Sequence, residues 1–222
     1  MKLRLHHIDM CVENVERTLG ILCNQFGLTL VGRRETNTCH QFVAQLGGTT
    51  FVVTSRNPIN KENETEREKF RDTNDSWSLF CCTSDSNNNK NGDRKHIDSV
   101  FNVALEVENI KVCVERLVQN GLTVTKRITR VQSPYDGYVD FAVVQSCCGN
   151  LIHTLIEKKN YKGKFLPGFH ILEEIHSPRK NDASSLMTHF DHIALACRVG
   201  ETNHILEWYE KAFDMKRFLT NR

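Results

Sequence analysis

Phe101-Asn102-Val103-Ala104-Leu105-Glu106-Val107 runs through Glu108-Asn109 into Ile110-Lys111-Val112-Cys113-Val114-Glu115-Arg116-Leu117-Val118-Gln119-Asn120-Gly121. The first seven residues alternate with the period of two expected of a strand, while Ile110, Val114, Leu117 and Val118 recur at helical spacing and stop at Gly121. Three more strands are predicted behind that helix, Val124 to Val131, Val139 to Ser146 and Leu151 to Glu157. The same order begins near Leu3. Leu3 to Val12 reads as a strand, and Val15, Leu19, Leu22 and Phe26 then recur at helical spacing between Asn14, a capping residue, and Gly27. Leu28 to Arg34, Gln41 to Leu46 and Thr50 to Thr54 complete that unit. A third start, Phe190 to Cys197, leads into a helix bearing Leu206, Tyr209 and Phe213 and is incomplete at Arg222.

Three starts of one unit indicate a repeat of long period. A single βαβββ unit would expose a sheet edge and an apolar face, whereas two units cover each other. The predicted fold class is therefore α+β: paired βαβββ modules curled into an open barrel with helices outside, and a truncated third module. Residues 1–169 are expected to form the paired domain, with modules at 1–54 and 98–158 and a polar insert at 56–95 rich in Asn, Asp, Glu, Lys and Ser. Residues 170–189 are expected to be a linker, and 190–222 the opening of a second domain.

Composition narrows the function classes. The 222 residues carry 29 basic and 27 acidic side chains, a net charge of +2, so neither a nucleic-acid stripe nor an acidic tail is present. No apolar run approaches the roughly 18 residues of a membrane span, and Met1 to Leu5 lack a secretory apolar stretch. A soluble intracellular protein is expected. Nine cysteines, odd in number, include the adjacent pairs Cys81-Cys82 and Cys147-Cys148 but no zinc spacing. Cys11, Cys113 and Cys197, within apolar periodic segments, are expected to be reduced and to pack as small hydrophobes.

Strand alternation assigns faces. Ile8, Met10 and Val12 are expected to pack on the first helix, turning His7 to the concave side. Val103, Leu105 and Val107 take the same role in the second module, putting Asn102 in register with His7, and the third start places His192 at that position. The last strand of the second module is assigned an inward phase of Leu151, His153, Leu155 and Glu157. The paired domain would then offer His7, His153 and Asn102 to a divalent metal such as iron, zinc or nickel, although no carboxylate is evident as a third ligand. The alternative is that both histidines are hydrogen-bonded barrel residues.

His153-Thr154-Leu155-Ile156-Glu157-Lys158-Lys159-Asn160-Tyr161-Lys162-Gly163-Lys164-Phe165-Leu166-Pro167-Gly168-Phe169 resembles the segment leaving the N-terminal domain of the 4-hydroxyphenylpyruvate dioxygenase family, within the vicinal oxygen chelate superfamily. Phe51-Val52-Val53 with Asn57-Pro58-Ile59-Asn60-Lys61-Glu62, and Ala104-Leu105-Glu106-Val107-Glu108, are similar to other stretches of that domain. Asp191-His192 looks like the pair that opens the family's catalytic domain, and with Asn102 the segment Phe190 to Cys197 is closer to the dioxygenase-like branch.

The resemblance implies paired modules with cup-shaped metal sites and, in complete members, ferrous iron held by two His and one Glu, of which His192 would be the first. It implies an aromatic 2-oxoacid and O2 as partners: the oxoacid chelates iron and loses carbon dioxide, and the ring or benzylic carbon is hydroxylated. Three facial ligands leave room for both reactants. The other two ligands would lie beyond this stretch, so the chain as given is expected not to bind iron stably or turn over alone. A noncatalytic binding or assembly module is the alternative, with homo-oligomers formed through the unfinished third module. Mitochondrial placement follows from the dioxygenase-like branch, cytoplasmic placement from the tyrosine-degrading one.

Overall fold

Asn14 and Asn109 each stand in extended conformation just before an apolar periodic run, and their side chains accept from the exposed amides of Arg17 and Val112 at 2.8 and 3.1 Å. These caps start helices α1 (Val15–Gly20) and α2 (Ile110–Gln119) where the sequence predicts them. The computed structural model describes residues 2–36, 39–56, 98–172 and 188–218. Most of the expected insert and linker therefore lies outside the described residues.

Among the described residues nine strands form one sheet: β1 (Leu3–Cys11), β2 (Thr29–Glu35), β3 (Cys39–Leu46), β4 (Thr49–Arg56), β5 (Ser99–Val107), β6 (Val124–Ser133), β7 (Gly137–Gln145), β8 (Ile152–Glu157) and β9 (His170–Ile171). Their order is β6-β7-β8-β5-β1-β4-β3-β2-β9. The repeat is visible as mirrored halves, each with its first strand parallel to its last, joined by antiparallel β1 and β5. Strand β9, inside the stretch expected as linker, extends the edge at β2.

One face of the second module packs Val103, Leu105, Leu151 and Leu155 against Ile110, Cys113 and Leu117 of α2. On the opposite face Val43 of β3 and Val139 of β7 belong to one cluster although four strands separate them in the sheet. The sheet must therefore curl. Phe165 and Leu166, from the chain after β8, fill the cup so formed, with Tyr161 and Phe169 packed beside them. Burying each such side chain is worth roughly 1.5–3 kcal/mol, which explains why an irregular segment stays ordered there.

The third start departs from expectation. Residues 190–197 form no strand, because a strand requires a hydrogen-bonded neighbour and none of the described residues pairs with them. The helix after them, α3 (Thr202–Phe213), does form and buries Ile205, Trp208, Ala212 and Phe213, the last three within the core cluster of the second module. Across the helix pair, Arg116 and Asn120 of α2 donate to the Lys211 carbonyl at 3.3 and 3.2 Å, satisfying one of the open carbonyls at the end of α3.

Three smaller expectations also change. Phe26, expected on the apolar stripe of the first helix, is 64% exposed, because α1 passes into a π-helical turn (Ile21–Gln25) that rotates the next side chain outward. Cys11 is buried and disulfide-bonded rather than reduced, and Cys197 is exposed rather than packed. Cys113 does lie reduced in the core. Among the described residues no helix is long and apolar enough to cross a membrane.

Candidate functional site

The curled sheet gathers polar side chains on its concave face. His7 is 4% exposed and Asn102 5%. Asn102 donates to Asp9 Oδ2 at 2.5 Å and to Thr154 Oγ1 at 2.9 Å, while its carbonyl accepts from the Thr154 amide at 3.0 Å. His7 Nε2 lies 3.4 Å from Asp9 Oδ2, and its Nδ1 lies 2.7 Å from Nδ1 of His6. The His7 ring thus lies between a carboxyl group and a second imidazole, and the close approach of the two Nδ1 atoms requires one of them to carry the proton that the other accepts. Burial, and then the neighbouring His7, hold the His6 imidazole well below its ordinary pKa. The Phe165 ring sits 5.7 Å from the His6 ring and 5.4 Å from that of His7, closing the cluster off.

His153 does not share this cup. Leu105 pairs with Leu155 across parallel β5 and β8, so His153 lies in the phase of Val103 on the helix-packed face, one residue out of phase with Asn102 and Thr154. The inward phase read for β8 is therefore corrected, and His7 and His153 do not share a metal set. His153 is 2% exposed. Its Nδ1–H donates to the Val103 carbonyl at 3.0 Å, which leaves Nε2 to accept from the Tyr209 hydroxyl at 2.9 Å. Trp208, Tyr209 and Phe213 of α3 surround the ring at 5.9, 5.5 and 5.3 Å. Burial, partly offset by the bond to Val103, lowers the His153 pKa to about 4, and burial raises that of Tyr209 to about 12. Both are neutral at pH 7, and both histidine nitrogens are engaged within the fold.

A cavity of about 660 Å³ opens between this face of the sheet, α3 and residues 190–197, with Leu5, Leu105, Leu151, His153, Tyr209 and His192 among its walls. Its volume is that of a small-molecule pocket. His192 stands at the wall with 80% of its side chain exposed, and its Nδ1–H donates to Asp191 Oδ2 at 2.8 Å. The Asp191 carboxyl is held below its usual range by that bond. A carboxylate on Nδ1 fixes the tautomer and leaves Nε2 with a free lone pair, the arrangement of many metal-binding histidines.

The sequence and the fold match a known family. The Glyoxalase/Bleomycin resistance protein/Dioxygenase superfamily description covers residues 4–154. The chain belongs to this superfamily. The 4-hydroxyphenylpyruvate dioxygenase-like protein of Rattus norvegicus is 31% identical over 113 residues, 51% of this chain and 29% of that protein. The 4-hydroxyphenylpyruvate dioxygenase of Yarrowia lipolytica is 32% identical over 125 residues, 56% of this chain and 31% of its own length. A Caenorhabditis elegans protein is 26% identical over 216 residues, 96% of this chain. The chain spans half the length of that last relative and under a third of the other two. A mutant 4-hydroxymandelate synthase from Streptomyces coelicolor shares the superfamily fold with a TM-score of 0.67 and 19% identity, over 98% of this chain and 54% of that one.

Ferrous iron, which the resemblance implies, would need a facial set of protein ligands. Among the described residues no group of three or more His, Cys, Asp or Glu is placed to hold a metal ion. His192 offers one open nitrogen, whereas a facial set needs three ligands. The described residues do not fit iron by themselves, and no chemical step is derived through it. Asp9, Thr154 and Tyr209 are the site residues that sequence reasoning missed. Asp9 lies two residues after His7 in one strand phase, a signal that alternation already contained.

Proposed function

We propose that residues 1–222 form the first domain and the opening of the catalytic domain of an iron-dependent dioxygenase acting on a 4-hydroxyphenyl 2-oxoacid. The reaction class is oxidative decarboxylation coupled to hydroxylation, and mitochondrial placement accompanies the dioxygenase-like branch. Similarity to relatives named for 4-hydroxyphenylpyruvate at about 30% identity carries this reading, and the Asp191–His192 pair supports it. His192 would supply one ligand, and the paired domain would supply the platform on which α3 is seated.

Two measurements test this. An oxygen electrode should record no uptake above the ferrous background when residues 1–222 receive iron and 4-hydroxyphenylpyruvate. Joining residues 1–218 to the remaining length of the Yarrowia relative should restore uptake, and His192→Ala in that fusion should abolish it. Brisk uptake by residues 1–222, or a folded fusion that stays silent, would overturn the reading.

The stretch at 190–197, which pairs with no strand among the described residues, favours a second one, an assembly module that pairs this segment with another copy. Light scattering behind size-exclusion chromatography should then report a dimer. A monomer across the micromolar range excludes it.

A further inference from the structure

The turn between β7 and β8 places two thiols side by side. We propose that Cys147 and Cys148 form a vicinal dithiol site that binds one monosubstituted trivalent arsenical through both sulfurs.

The backbone of the turn is fixed before any ligand arrives. Ser146 N–H donates to the Leu151 carbonyl and Leu151 N–H to the Cys148 carbonyl, each at 3.0 Å, and Cys148 N–H donates to Ser146 Oγ at 3.2 Å. Gly149, at φ +53, makes the reversal that a side chain would resist. Cys147 and Cys148 are consecutive in this fixed turn, both thiols are free and half-buried, and both pack against the apolar cluster that contains Leu151 and Tyr209. A ligand that needs both sulfurs therefore meets them on neighbouring residues of a backbone that is already ordered, which lowers the ordering cost of binding.

The composition of the site selects the ligand class. Zinc takes four ligands, and no third His, Cys, Asp or Glu completes a metal-binding group among the described residues. Hard cations require oxygen ligands. A trivalent arsenic centre carrying one organic group needs only two thiols, and its organic group can lie against the adjoining apolar cluster. The exchange balances without oxidation. Two As–S bonds form and two As–O bonds break, each thiol proton leaves with a hydroxide as water, and arsenic stays trivalent. Burial, then the neighbouring Cys148, raises the Cys147 pKa to about 11. Reagents that require a thiolate should thus react slowly at pH 7, while the arsenical brings its own proton acceptor.

The test is intact-mass titration of residues 1–222 with phenylarsonous acid. One phenylarsenic group per chain is expected, retained in excess 2-mercaptoethanol and removed by 2,3-dimercaptopropanol. Cys147→Ser and Cys148→Ser should each weaken retention by about a hundredfold or more, the advantage of joining two sites. Cys23→Ser and Cys197→Ser should leave it unchanged. The other adjacent pair, Cys81-Cys82, lies outside the described residues, so peptide mapping of the wild-type adduct decides the location and serves also if a variant fails to fold. Mapping to residues 146–150 supports the site. An adduct on Cys81 and Cys82, retention in both single variants, or no adduct would overturn it.

Discussion

Replacing Phe165 by alanine is expected to lower the unfolding free energy by about 3–5 kcal/mol. The ring is buried where the two modules meet, in one cluster with Val43 and Val52 of the first and Ala104, Val139 and Ile156 of the second. It also packs at 4.9 Å against Phe169 and covers the His6 and His7 rings. Alanine would leave a cavity between the halves of the sheet and open the His7–Asp9–Asn102 network to partial hydration. Against the 5–15 kcal/mol total of an ordinary domain, the loss is large. Urea denaturation would measure it, with Phe26→Ala, an exposed aromatic, expected to stay within about 0.5 kcal/mol of the wild type. A Phe165 effect under about 1 kcal/mol would mean that the segment only rests on the cup.

Part of this architecture was legible from sequence and part was not, because local signals and long-range pairing set different elements. Local signals were sufficient for the modules. The helical run from Ile110 ends just before Gly121 as predicted, and the alternation of Val103, Leu105 and Val107 identifies the helix-facing side correctly. Strand β8 gave no such guidance, because Ile152 to Ile156 are buried on both faces and a doubly buried strand has no period of two. Its phase is set by parallel pairing with β5, a contact between residues about fifty positions apart. That one-residue difference separates His153 from His7 and dissolves the three-residue metal set. The third start failed differently. Its helix carries its own apolar stripe and forms, whereas residues 190–197 depend on strand partners that the described residues do not contain.

The placement of His153 has a pH consequence. Its folded pKa of about 4 lies below the unfolded value of about 6.5, so the unfolded chain binds the proton more readily between those limits. Stability from the buried neutral ring is therefore complete above pH 6.5, declines as pH falls, and is lost near pH 4. The difference amounts to about 3 kcal/mol, since each unit is worth about 1.4 kcal/mol. Protonation would also break the bond to Tyr209, because a protonated Nε2 can no longer accept the hydroxyl. The seat of α3 should loosen first, the ring being enclosed by Trp208, Tyr209 and Phe213. His6, also depressed by burial, acts in the same direction from the opposite face. A His153→Gln variant separates the two. Unfolding free energies of wild type and variant, taken at pH 7 and pH 4, should show the wild type losing about 3 kcal/mol more over that interval. Trp208 fluorescence would report the release of α3 in the same titration. Parallel losses in the two proteins would assign the acid sensitivity elsewhere and remove His153 as the group that ties α3 to the paired domain.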